Sequence, residues 1–206
     1  MDELKGIIKG SYNIGEKIIE GCKYQLLFFL YLLRGGIIFG LFPSIAAVFQ
    51  SLYTQIRDKQ TLSAKEFSLY YKKHFKISNQ LGFTSLSVLL FLWIDLRISA
   101  IYIQQPILHF FLLCLFIFIL GASLYLFSAL TRYELSYFQY LQRAFLLFFC
   151  NLIETIAILF GLYLSSIVLA LFPALFFIAA VPIYGLPIVW FGLQAMEKAE
   201  KKAARL

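Results

Sequence analysis

The chain has 206 residues and a net charge of +7, yet 61% of its residues are hydrophobic and only 14% are charged. With a mean hydropathy of +0.81, this composition excludes a soluble globular domain. Apolar runs long enough to cross a hydrocarbon core of about 30 Å recur along the chain. The unbroken stretch "FLLCLFIFIL", 111–120, lacks the alternation of a transmembrane β-barrel. The expected fold is an all-α, polytopic membrane helical bundle forming a single integral membrane domain over 1–206.

In chain order, 1–23 place Leu4, Ile7, Ile8, Ile14, Ile18 and Ile19 at near-helical spacing among charges, which predicts an amphipathic cytoplasmic helix lying on the membrane. No cleavable signal is visible, so the first spanning helix is expected to direct insertion. Six crossings are predicted, over 24–41, 42–57, 79–96, 106–128, 144–164 and 167–193. The first two form a hairpin (24–57), the last four occupy 79–193, and a basic tail (194–206) follows. The second crossing is short and carries Gln50, Ser51 and Gln55. Charge argues for it: of the 18 lysines and arginines, all but Arg34 and Arg97 then fall on one face, as the positive-inside rule requires for the cytoplasm. Both termini are therefore expected in the cytoplasm. Tyr24, Tyr133, Tyr137, Tyr140 and Trp190 fall near that boundary, and Trp93 and Tyr102 near the outer one, as interfacial anchors. The outer loops are minimal, which excludes an extracellular receptor or enzyme domain.

Between the second and third crossings, 58–78 form a basic amphipathic helix. Its start is written in "LSAKEF": Ser63 as N-cap, Glu66 closing a capping box, and Leu62 facing Phe67 as a hydrophobic staple. Phe67, Tyr71 and Phe75 line one side, with Lys65, Lys72, Lys73 and Lys76 around the rest. Two partners suit this surface, anionic membrane lipid and another protein.

Some residues do not belong in lipid. Arg34 and Glu154 each lie ten residues into a crossing that starts at the cytoplasmic face, about 15 Å deep at 1.5 Å per residue. A lone charge there costs about 3 kcal/mol, so the two are expected to form a buried ion pair, with Asn151 one turn away. The pair is either a registry device or part of a solute or proton site. Gly36 and Gly40 make a GxxxG face widened by Gly35, and Ala157, Gly161 and Ser165 form a similar small-residue ladder, so both are expected to pack closely against neighbouring helices. Pro43 is expected in the sharp outer turn between the first two crossings. Pro173, Pro182, Gly185 and Pro187 should kink or unwind the last helix, a feature that marks binding sites in many transporters. Cys22, Cys114 and Cys150 read as reduced thiols. His74 and His109 stand without partners at metal-ligand spacing, and no catalytic motif is present. No cofactor, metal or catalytic residue is expected, and the basic face needs no nucleic acid to explain it.

From Gly40 to Gly82 the chain reads "GLFPSIAAVFQSLYTQIRDKQTLSAKEFSLYYKKHFKISNQLG". This resembles the YesL family of bacterial membrane proteins. Gly40, Pro43, Ser44, Ala46 and Ala47 stand at its Gly-x-x-Pro-[Ala/Ser]-x-Ala-Ala turn. Phe67, Tyr71, Lys72, Phe75, Lys76 and Ser78 stand at its Phe-x-x-x-[Phe/Tyr]-[Lys/Arg]-x-x-Phe-Lys-x-Ser segment. The later helices match only in number and hydrophobicity, and the first departs in carrying Arg34 and a double glycine. The resemblance implies a multi-pass protein of the bacterial cell membrane, of a kind often encoded beside carbohydrate ABC importers and glycan-degrading enzymes. It implies no catalytic residues. The leading expectation is a non-enzymatic membrane subunit or accessory partner of a carbohydrate ABC importer, touching permease or binding-protein subunits through 63–78 and the small-residue faces. The alternative is a small-solute carrier or substrate-binding membrane subunit, its site lined by Arg34, Glu154, Asn151, Gln50 and the kinked last helix.

Overall fold

The computed structural model describes the backbone of residues 2–204 and, from residue 15 onward, their side chains except that of Ala203. Leu4, Ile7, Ile8 and Ile14, on which the amphipathic N-terminal face was expected, lie outside the described side chains.

The described residues form seven α-helices and no strand: α1 (Asp2–Arg34), α2 (Ile38–Arg57), α3 (Ala64–Ile98), α4 (Pro106–Arg132), α5 (Tyr137–Cys150), α6 (Leu152–Leu171) and α7 (Ala174–Ala203). Four segments are long and apolar enough to cross a membrane: Ala64–Ile103, Pro106–Arg132, Leu152–Leu171 and Ala174–Lys202. Helices α1 and α2 fall outside that set.

The first hairpin turns earlier than expected. Helix α1 ends at Arg34, and the chain reverses through Gly36 (φ 73°) and Ile37 (φ 59°). Gly36 supplies the left-handed backbone that residues with a Cβ resist. Its neighbour Gly35 lets α2 fold back, because a Cβ there would overlap Gly40 Cα. Gly35 and Gly40 therefore do serve close packing, but at a hairpin corner, and Gly36 serves the turn instead. Pro43 lies inside α2, not in the turn.

Helix α2 packs against α1, α3, α4 and α7. Ser44, Ala46, Ala47, Val48 and Ser51 are fully buried along it. A helix covered by protein on most sides has no need of a lipid-compatible face, which accounts for its glutamines and serines. One core cluster joins Tyr24, Phe28, Phe49, Leu52, Phe67 and Tyr71 with Val189 and Leu193 of α7. A second joins Leu81, Tyr125, Leu130, Tyr140, Leu147, Ile158 and Met196.

The amphipathic helix after α2 is continuous with the helix expected over 79–96. Ser63 accepts from the Glu66 N–H at 3.3 Å, and the Ser63 N–H donates to Glu66 Oε2 at 2.8 Å, so the expected capping box forms. A π-helical turn (Ser99–Ile103) leads from α3 to α4.

The helix expected over 144–164 is split in two. The backbone breaks at Asn151 (φ −134°, ψ 56°), which separates α5 from α6. Helix α5 starts from a second capping box, Ser136 with Gln139. Helices α6 and α7 pack as an antiparallel hairpin, where a Cβ on Gly161 would overlap the Pro187 ring and Ala157 is half-buried.

Candidate functional site

The two distinctive motifs of the sequence meet at the seam between α2 and α3. Pro43 has no N–H, so the carbonyl four residues earlier, that of Phe39, has no helical donor. Asn79 supplies one from α3: its Nδ2 donates to Phe39 O at 2.9 Å and to Phe75 O at 3.0 Å. One helix's proline is thus braced by the next helix's amide. Gly82 leaves room for the Phe42 ring, which a Cβ would overlap. Beside this seam runs a groove of about 580 Å³ lined by Phe39, Phe75, Lys76, Asn79, Phe83 and Tyr137, among others.

The same repair recurs in α7. Pro187 frees the carbonyl of Ile183, and Ser165 Oγ of α6 lies 3.2 Å from it, while also 2.9 Å from Gly161 O. One hydroxyl proton serves both acceptors. Ala179 has left helical geometry (φ −152°, ψ 17°) close to Pro182, and the nearby Val181 N–H donates to Gln25 Oε1 of α1 at 3.0 Å. The expected break in the last helix is present at Pro173, which precedes α7, and at Ala179. Gly185 is a close-packing position instead, facing Phe49 and Leu52.

The expected ion pair does not form. Arg34 is exposed in the last turn of α1, its guanidinium 5.9 Å from the Tyr31 ring. Glu154 lies in the first turn of α6 because of the break at Asn151, and it pairs with Lys198 of α7. Both charges sit at helix ends, so the matched mid-membrane depth disappears. Asn151 is buried, donates to Leu147 O at 3.1 Å and accepts at its own carbonyl from Thr155 Oγ1 at 3.1 Å. Gln50 is half-buried on α2, 3.4 Å from Thr54 Oγ1. These four residues do not converge on one site.

The aromatic stripe expected to dock a partner is internal. Phe67 is fully buried, and the Phe67 and Tyr71 rings lie 5.2 and 4.9 Å from Tyr31. Tyr71 OH also donates to Tyr31 O at 3.1 Å. Only the lysine side of that helix, with Lys65, Lys72 and Lys76, stays exposed beside half-buried Phe75.

At the end of α4, Arg132 donates to both carboxylate oxygens of Glu200, at 2.9 and 2.5 Å, and Tyr133 OH donates to Glu200 Oε1 at 2.7 Å. Glu197 lies 3.8 Å from Arg132 Nη1, an ionic contact too long for a hydrogen bond. Arg143 of α5 stacks on the Tyr133 ring at 4.8 Å. Burial pushes the Tyr133 hydroxyl above its usual range. Next to it, the hydrogen bond and charge of Lys73 hold the Glu134 carboxyl below the usual carboxylate range. Glu200, Lys198 and Gln25 carried no signal in the sequence, since their partners lie far away along the chain. Asn79 did carry one, an amide that with Gln80 edges an apolar run.

Residues 23–96, from the second part of α1 through α3, match the family described as "Protein of unknown function, DUF624". The chain is similar to the "Uncharacterized protein YesL" of Bacillus subtilis (strain 168), at 29% identity over 130 residues. That stretch is 61% of this chain and 60% of that protein, so the chain spans about three fifths of the curated relative it matches. No solved structure matches the chain. The likeness first carried by the Gly40–Pro43 turn and the Phe67–Ser78 segment thus extends across the seam that Asn79 braces, and over this stretch the chain is similar to YesL.

Proposed function

We propose that this is a non-enzymatic, multi-pass protein of the bacterial cell membrane that acts through contacts, as a subunit or accessory partner of a carbohydrate ABC importer. One observation carries the reading: four polar side chains inside the bundle brace broken helices or clamp helix ends. Asn79, Ser165, Gln25 and Arg132 each hold a backbone group or a carboxylate of another helix. A solute carrier needs such groups turned toward a shared cavity, and Arg34, Gln50, Asn151 and Glu154 are not so placed.

Both termini and the lysine-rich ends face the cytoplasm in this reading. The hairpin α1–α2 returns the chain to the side it left, as the Lys23 Nζ bond to Leu62 O at 2.8 Å attests. Six crossings, or four crossings plus a returning hairpin, therefore give the same charge asymmetry. The importer assignment draws on the family resemblance.

Extraction in mild detergent from cells grown on a glycan tests the proposal. Copurification of permease or binding-protein subunits is the expected result. A solitary protein whose melting temperature rises with a sugar or vitamin would favour the carrier instead.

A further inference from the structure

We infer that the α1–α2 hairpin does not cross the membrane but seats its tip in the cytoplasmic leaflet, against anionic lipid headgroups. The inference rests on the placement of the lysine-rich face in the cytoplasm proposed above.

Helix α3 is the ruler. From Lys76 to Arg97 it runs about 31 Å at 1.5 Å per residue, the thickness of one hydrocarbon core. Lys65, Lys72 and Lys76 are exposed along its first part, so that part lies outside the core on the cytoplasmic side. The hairpin packs beside it. Lys23 bonds to Leu62 O, the Tyr31 ring packs at a tilt against Phe67 and Tyr71, and a Cβ on Gly35 would touch the Tyr71 hydroxyl. Phe39 and Phe42 reach as far as Phe83, at 5.8 and 5.0 Å. Helix α3 continues fifteen residues past that contact, to Ile98. A tip on the outer face would carry Lys72 and Lys76 there too, against the positive-inside rule.

The tip is built for the boundary. Leu30, Leu33, Ile37, Ile38 and Phe39 are exposed on it, between 59% and 65% for each. Arg34 is exposed among them, and Lys72 and Lys76 flank the neighbouring stretch of α3. Apolar side chains reaching the acyl boundary, with cations at their rim, match the chemistry of an anionic leaflet. The position of Arg34 then needs no counter-ion within the protein, because lipid phosphate supplies one.

Single cysteines test the placement in a chain whose Cys22, Cys114 and Cys150 are replaced by alanine. Arg34→Cys, Ile37→Cys, Lys72→Cys and Tyr102→Cys are each treated with a membrane-impermeant maleimide in spheroplasts and in everted vesicles. Tyr102→Cys, in the connection after α3, should label from outside only, and Lys72→Cys and Arg34→Cys from the cytoplasmic side only. Outside labelling of Arg34→Cys or Ile37→Cys, with Lys72→Cys labelled from inside, overturns the inference, as does labelling of Arg34→Cys from neither side. If Lys72→Cys and Tyr102→Cys exchange sides, the orientation proposed above fails, whereas Arg34→Cys sharing the side of Lys72→Cys still upholds the hairpin placement. The lipid partner has its own readout. Added phosphatidylglycerol should raise the melting temperature of the natural chain by more than that of the triple variant Arg34→Gln, Lys72→Gln, Lys76→Gln, and equal shifts would sink that part.

Discussion

Asn79 shows how a single side chain sustains an irregular helix in an apolar setting. The Phe39 carbonyl left free by Pro43 would otherwise lack a donor at a part-buried position, a loss of about 1 kcal/mol, the low end for an unpaired acceptor. Asn79→Leu should therefore lower the melting temperature in detergent. Pro43→Ala restores the N–H that Phe39 lacks, so Asn79→Leu should cost less in that background. Equal losses in both backgrounds would show that Asn79 does not act through Phe39. Lys73 and Glu134 offer a second test, with a defined sign. The folded-state pKa of Glu134 is depressed, so the pair stabilises the fold above the carboxylate's unfolded pKa and loses this effect as pH falls through the folded value. Both side chains are largely exposed, so the effect is small. The difference in melting temperature between the natural chain and Glu134→Gln should be present at pH 7, begin to fade near the unfolded glutamate value of about 4.3, and vanish only once pH has passed the lower folded value.

Helix ends decide where charges sit, and here the sequence was only partly legible. The start of α3 was readable because a capping box and a staple are local signals, all within 62–67. The end of α1 was not, since the double glycine at 35–36 and the proline at 43 both mark turns. Pro43 lost because Asn79 lets it reside inside α2, a compensation some 36 residues away that no local pattern announces. The break at Asn151 had no glycine or proline to mark it, and counting from the wrong helix start placed Glu154 in mid-membrane. Its real partner, Lys198, lies on the opposite helix of the α6–α7 hairpin. Glu154 is buried and Lys198 is more than half exposed, which predicts an asymmetry. Lys198→Ala leaves a buried carboxylate uncompensated and should cost about 1–2 kcal/mol, at the low end for such pairs because solvent reaches the lysine. Glu154→Gln should cost less. Thermal melts of the two variants distinguish them, and a larger loss for Glu154→Gln would contradict the pairing.

Across the whole molecule, α7 is the element that ties the others together. It packs on α1, α2, α4, α5 and α6, and its contacts include Gln25 on α1, Ser165 on α6 and Arg132 on α4. The last of these is the strongest single tie, because a guanidinium held by both oxygens of one carboxylate is geometrically fixed and charge-assisted. Arg132 is only 13% exposed, so removing Glu200 leaves it with the distant Glu197 alone. Glu200→Ala is therefore expected to destabilise by about 1–2 kcal/mol, below the fully buried case because solvent reaches Glu200, loosening α7 from the α4–α5 corner through Tyr133 as well. Lys201→Ala with Lys202→Ala changes the net charge twice as far in the opposite direction, yet both lysines are exposed and should leave the melting temperature nearly unchanged. If the two variants melt alike, the clamp is decoration and the bundle is held by its apolar seams alone. If Glu200→Ala melts earlier than the double lysine variant, the clamp holds α7 to the α4–α5 corner.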